Sequence, residues 1–142
     1  MTTFICYPKC STCQKAKALL DRFGAKYDIR DIKEDNPAYG ELKSWLVLSG
    51  LPVRKFFNTS GLLYRSLNLK ERLPAMSEDE CLALLATDGM LVKRPLLVRE
   101  KHVLAGFRPG EWEAVLKEDG YEEPGTMIPV PQPGEGGGRT YL

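Results

Sequence analysis

The chain of 142 residues has one histidine, almost no net charge (20 Lys and Arg against 19 Asp and Glu) and no apolar run long enough to span a bilayer. Each shortage excludes something. The charge balance removes the general electrostatic case for direct binding to nucleic acid or an anionic membrane. A lone His102, with no second pair of cysteines, leaves too few ligands for tetrahedral zinc. The start of the chain, Met1 to Tyr7, lacks a basic segment followed by a long apolar stretch, so the expected compartment is the cytoplasm.

What is present suits one ordinary globular domain. Hydrophobic residues make up 43% and charged residues 27% of the chain. A chain of this size buries roughly 70% of its unfolded surface and needs no disulfide or structural metal to fold. The four cysteines are therefore available for chemistry or for burial. Cys6, Cys10 and Cys13 crowd near the start while Cys81 stands apart, unlike the dispersed framework of a small secreted domain.

Phe4-Ile5-Cys6-Tyr7 reads as a buried strand ended by Pro8. A helix over about Thr12 to Phe23 follows, capped by Ser11 or Thr12, with Ala16, Leu19, Leu20 and Phe23 at helical spacing and Gly24 as its left-handed stop. Tyr27 to Ile32 alternates as a second strand, parallel to the first with a right-handed crossover. Asn36-Pro37 predicts a helix start and Gly50 its end, giving a helix from about Pro37 to Ser49.

The middle is less regular. Val53, Phe56 and Phe57 predict a helical turn or two, and Asn58-Thr59-Ser60-Gly61 reads as a turn. Ser77-Glu78-Asp79-Glu80 is a capping box, opening a helix that should end near Gly89. Leu96 to Arg99 and His102 to Ala105 read as an antiparallel hairpin, and Pro109 to Lys117 as a last helix bearing Trp112, Val115 and Leu116.

The order βαβ, helical stretch, ββα assembles as an α/β, thioredoxin-like fold: a mixed sheet of about four strands with helices on both faces. The domain should cover residues 1–122, with a helical insertion at about 37–90. From Glu123 onward the composition turns to Pro and Gly, which predicts a flexible tail over 123–142.

Cys10-Ser11-Thr12-Cys13 places two thiols where a strand hands over to a helix, so their sulfurs can meet. Backbone amides and the positive end of the helix dipole favour a thiolate at Cys10, and Lys9 and Lys15 push the same way. Cys10 is the expected nucleophile and Cys13 the resolving thiol, with an outside thiol closing the cycle. The spacing Cys6, Cys10, Cys13 also matches an iron-sulfur motif of radical S-adenosylmethionine enzymes. A strand residue cannot wrap a cluster, and the chain is too short for the barrel those enzymes use. Cys6 and Cys81 read as buried small apolar residues.

Three segments, Tyr7-Pro8-Lys9-Cys10-Ser11-Thr12-Cys13, Lys93-Arg94-Pro95-Leu96 and Gly106-Phe107-Arg108-Pro109, resemble the arsenate reductase-like/Spx family of thioredoxin-fold proteins over about Thr3 to Lys117. Lys55 to Gly61 and Asp88 to Pro95 look like a bacterial branch known as arsenate reductase family proteins. The resemblance implies that Arg94 acts with Cys10 and Cys13 in catalysis, that Pro95 is a cis-proline facing the cysteines, and that Arg108, Thr12 and Asn58 line the substrate site. Two guanidiniums beside a thiolate would lower its pKa and could hold an oxyanion bidentately.

No bound cofactor is implied. The reductant would be external, glutathione with glutaredoxin, or thioredoxin, and the substrate a small oxyanion or a disulfide. Arsenate reductases of this type carry an arginine at the place of Asn58 and usually lack the second cysteine. Spx-like regulators share the cysteine pair as a redox switch and bind the RNA polymerase alpha subunit, with a glycine where this chain has Gly50. That makes the polymerase subunit a second expected partner, and a monomer the expected state.

Overall fold

The computed structural model describes residues 1–122; the expected Pro/Gly tail over 123–142 lies outside the described residues. The strands are β1 (Thr3–Cys6), β2 (Asp28–Asp31), β3 (Leu96–Val98) and β4 (Val103–Ala105). They form one sheet in the order β2-β1-β3-β4. Strand β1 pairs parallel with β2 and antiparallel with β3, which pairs antiparallel with β4. This is the α/β, thioredoxin-like plan that the sequence predicts.

The pleat of β1 sorts the core into two layers. Phe4 and Cys6 join Leu97, Leu104, Trp112 and the apolar face of helix α1 (Ser11–Arg22), together with helix α6 (Pro109–Glu118). Ile5 turns the other way, onto Leu42, Trp45, Phe56, Phe57 and Leu82 of the helical insertion. Alternation of period two in a strand produces this division directly. The fully buried aliphatic and phenylalanine side chains among them, such as Phe4, Ile5, Leu97 and Phe56, each contribute about 1.5–3 kcal/mol of transfer free energy. Trp112 is fully buried, donates from its ring nitrogen to the Gly106 carbonyl at 3.0 Å and meets Phe4 and Phe107 edge to face.

Several boundaries differ from the sequence reading. Neither Ser11 nor Thr12 caps α1: Cys10 holds the cap position in extended conformation (φ −89°, ψ 124°), and its carbonyl accepts from the Gln14 amide at 3.1 Å. Gly24 follows at φ +70°, the left-handed stop expected. Helix α2 (Tyr39–Ser49) begins two residues beyond Pro37, because the Glu41 carboxylate accepts from the Ala38 amide at 3.0 Å and so fixes the first turn there. Asn36 instead donates its side-chain amide to the Ala86 carbonyl at 3.0 Å.

The insertion holds two short helices that the sequence does not announce, α3 (Leu62–Ser66) and α4 (Leu69–Arg72), the second entered through Asn68 at φ +56°. Ser77 and Glu80 form the predicted capping box of α5 (Glu78–Leu85). That helix stops at Leu85, short of Gly89, which serves a different purpose. A β-carbon on Gly89 would lie 1.7 Å from the Ile32 carbonyl oxygen, so the insertion packs onto the end of β2 only where no side chain intervenes. Among the described residues no helix is long and apolar enough to cross a membrane.

Candidate active site

Strand β1 carries the chain from the core to Tyr7, and a turn closed by the Cys10 amide donating to the Tyr7 carbonyl at 2.9 Å sets Cys10 at the entrance of α1. Cys13 lies one turn on and is buried, with 2% of its surface exposed. The Tyr7 amide donates to its sulfur at 3.3 Å. All four cysteines are free thiols.

The two thiols are driven apart electrostatically. Partial burial alone would push the Cys10 thiol up, but the amides of Cys13 and Thr12, the Cys13 thiol and the Arg94 guanidinium together hold it below the ordinary thiol value. Burial pushes Cys13 up to about 12, opposed by the Tyr7 amide and reinforced by the negative charge of Cys10. A half-buried, more easily ionised sulfur therefore stands beside a buried one that keeps its proton and donates it.

Arg94 lies where it can act on this pair. It is half-buried, donates to the Met90 carbonyl at 3.3 Å, and its guanidinium carbon stands 5.3 Å from the centre of the Tyr7 ring. The Arg94–Pro95 peptide is cis, and the buried Pro95 accepts from the Gly106 amide at 2.8 Å. Thr12 is exposed and reaches Cys10 through its backbone rather than its hydroxyl. Lys9 and Lys15 stand in solvent.

Asn58 and Arg108 occupy different surroundings. The Asn58 side chain folds over its own turn: a β-carbon on Gly61 would lie 2.7 Å from the Asn58 amide nitrogen, and the Asn58 backbone donates to the Leu91 carbonyl at 2.8 Å. Arg108 is exposed, 3.8 Å from a Glu111 carboxylate oxygen, and lines a cavity with Arg54, Lys55 and Lys93 rather than with Cys10.

Cys6 and Cys81 are buried, with 4% and 2% of their surface exposed. Burial raises both thiols, helped at Cys6 by the charge of Asp31 and at Cys81 by that of Glu80. Sequence reasoning misses Tyr7, whose amide holds Cys13 and whose ring faces Arg94. Its place beside Pro8, at the exit of a strand leading to a cysteine pair, is the available sign.

Comparison with known proteins places this geometry. A model of the ArsC family matches residues 6–115. The Bacillus subtilis protein YusI is 52% identical over 111 residues, 78% of this chain and 94% of YusI. The regulatory protein MgsR of the same bacterium is 32% identical over 109 residues, 77% of this chain and 85% of MgsR. A structure from Streptococcus mutans UA159, described as that of a possible arsenate reductase, superposes with a TM-score of 0.73 at 51% identity, covering 80% of this chain and 98% of that one. The match begins at Cys6, the last residue of β1, and runs past the cis-proline and Arg108 to Val115, enclosing the cysteine turn and the other three strands, and on this evidence the chain belongs to the ArsC family.

Proposed function

We propose that the protein is a cytoplasmic thiol-disulfide oxidoreductase in which Cys10 attacks and Cys13 resolves. The observation that carries this reading is two free thiols one helical turn apart, Cys10 at the entrance of α1 and Cys13 buried with its sulfur accepting from the Tyr7 amide at 3.3 Å, and their opposed ionisation agrees with it. The Cys10 thiolate attacks one sulfur of a disulfide, forming a mixed disulfide on Cys10 and expelling the other sulfur as a thiolate. With the charge on Cys10 gone, Cys13 gives its proton to the departing thiolate or to water and attacks the Cys10 sulfur. The second substrate thiolate leaves, and Cys10 and Cys13 end as a disulfide. The substrate gains two electrons and the protein loses two. An external thiol, glutathione with glutaredoxin or thioredoxin, restores them.

The preferred substrate is a small disulfide or a glutathione mixed disulfide. Arsenate is the competing substrate suggested by the family, and Asn58, standing where an arginine is expected, weakens it. In that chemistry Cys10 replaces one arsenate hydroxyl as water leaves. A second thiol then attacks the Cys10 sulfur, and arsenic departs as arsenite with the electron pair of the sulfur–arsenic bond.

The deciding experiment is thiol trapping in the Cys13→Ser variant. A stable adduct on Cys10 with a small disulfide is expected, together with alkylation of Cys10 below the ordinary thiol range. An unshifted alkylation profile with no adduct sinks the reading. Arsenate reduction with glutathione and glutaredoxin, lost in Cys10→Ser and Arg94→Ala, would name the oxyanion as substrate instead.

The kinship with MgsR supports a second reading, a redox-sensing regulator that binds the RNA polymerase alpha subunit. Gly50 closes α2 at φ +69° with no atom within 4 Å of the place a β-carbon would take, an open position for a partner. Absence of a complex with the alpha C-terminal domain in both redox states removes this reading.

A further inference from the structure

Among the described residues Arg94 pairs with no carboxylate, although its charge bears on Cys10. Two other half-buried arginines are held differently, Arg30 by Glu41 at 2.8 Å and Arg99 by Asp119. The main chain is pinned on both sides of Arg94: the Lys93 amide donates to the Phe56 carbonyl at 2.7 Å, and the Pro95 carbonyl accepts from the Gly106 amide at 2.8 Å. The side chain has much less to hold it. Its hydrogen bond to the Met90 carbonyl is long, at 3.3 Å, and its other anchor is the Tyr7 ring, whose centre lies 5.3 Å from the guanidinium carbon.

Tyr7 is in turn fixed to the cysteine turn. Its carbonyl accepts from the Cys10 amide at 2.9 Å, and its amide donates to the Cys13 sulfur at 3.3 Å. Its side chain packs against both layers of the core, so the ring is a firm platform. One residue thus touches both cysteines through its main chain and Arg94 through its ring. The choice of a ring has an electrostatic consequence. A carboxylate in its place would fix the guanidinium but oppose the very charge that favours a thiolate at Cys10. An aromatic ring attracts a cation through its quadrupole and has no net charge, so the arginine is held and its field at the sulfur is kept.

We propose that Tyr7 is a positioning residue whose ring holds the Arg94 guanidinium at the cysteine turn, where its charge serves the attacking sulfur of Cys10. The proposal rests on Cys10 as the nucleophile, as assigned above, and adds the group that keeps its cation in place.

The test reads the pH dependence of iodoacetamide labelling at Cys10, by mass spectrometry, in the full chain with Tyr7 replaced. Tyr7→Phe keeps the ring and should reproduce the parent profile. Tyr7→Leu removes the ring but neither main-chain hydrogen bond. It should displace the midpoint upward by most of the amount produced by Arg94→Ala, with a severalfold loss of rate on the acid side of the midpoint. The two changes should not add: in the Arg94→Ala background, Tyr7→Leu should leave the profile where it already stands. Trifluorophenylalanine at position 7 separates attraction for the cation from packing, since its ring keeps nearly the shape of phenylalanine and loses the negative face. It should displace the midpoint in the same direction as Tyr7→Leu, and it decides the matter even where Tyr7→Leu loosens the core.

A trifluorophenylalanine profile equal to that of Tyr7→Phe overturns the proposal, whatever Tyr7→Leu does, because the ring then serves packing alone. A displacement by Tyr7→Leu that is undiminished in the Arg94→Ala background overturns it as well. The two levels of inference fail differently. A parent profile in the ordinary thiol range defeats the thiol reading, and the role of Tyr7 with it. A parent profile that is displaced, yet indifferent to the ring, defeats the role of Tyr7 and leaves the thiol reading standing.

Discussion

The Tyr7 amide donates to the Cys13 sulfur at 3.3 Å, tying the exit of the first strand to the second thiol. The buried cysteine is thus held by the backbone that also shapes the turn bearing Cys10. Several measurable consequences follow for the two thiols and for the scaffold around them.

Arg94→Ala should move the alkylation midpoint of Cys10 upward, because the guanidinium is a cation favouring its thiolate beside the amides of Cys13 and Thr12. Arg94→Lys should restore part of the shift, since the charge returns without the planar contact with Tyr7. Rate against pH for iodoacetamide labelling, read at Cys10 by mass spectrometry, checks both.

Stability should fall at alkaline pH through Cys13. Its folded pKa is raised to about 12, so the stabilisation is complete below the unfolded thiol value and is lost as pH climbs from there toward the folded one. The slope attributable to this group approaches ~1.4 kcal/mol per pH unit. Urea unfolding of the reduced protein between neutral and strongly alkaline pH, compared with Cys13→Ser, isolates it; equal slopes in the two proteins would contradict the assignment.

Gly89→Ala should cost at the upper end of the ~1–3 kcal/mol range of overpacking, since the added carbon meets the Ile32 backbone and not a side chain that can rotate away. Gly40→Ala, with open space around it on α2, provides the control and should change stability little or raise it. Denaturant midpoints distinguish the two.

Trp112→Phe should cost about 1–3 kcal/mol by leaving the buried Gly106 carbonyl without its donor, and Trp112→Ala about 3–5 kcal/mol through the added cavity. Unfolding curves of the two variants give the difference directly.

The scaffold was readable where a local rule and the tertiary demand agree. Phe4 to Cys6, the Leu96 to Ala105 hairpin and the Ser77 box each follow such a rule, and each forms the element expected. Helices α3 and α4 escaped because runs of five and four residues are too short to show a period. They are held by the burial of residues such as Leu69, and that pressure is exerted by distant parts of the chain. The start of α2 was misplaced because Asn36-Pro37 resembles a cap, while Glu41, three residues beyond Ala38, is the group that satisfies an amide there.

The cysteine pair of the candidate site was visible in its spacing and position alone. The cationic cavity was not, since Arg54 and Lys93 lie far apart in sequence and meet only through the Phe57–Val92 bridge.

The outer strands of the sheet bear on self-association. An unpaired strand edge can template pairing with another chain. Three of the four residues of β2, Asp28, Arg30 and Asp31, are charged, and Arg30 is already committed to Glu41 at 2.8 Å, so a second copy pairing there would have to bury or dislodge charge. At the opposite edge β4 is three residues long and wholly buried. The sheet therefore offers an incoming strand a charged border on one side and a covered one on the other, which disfavours aggregation through its edges even when the protein is concentrated.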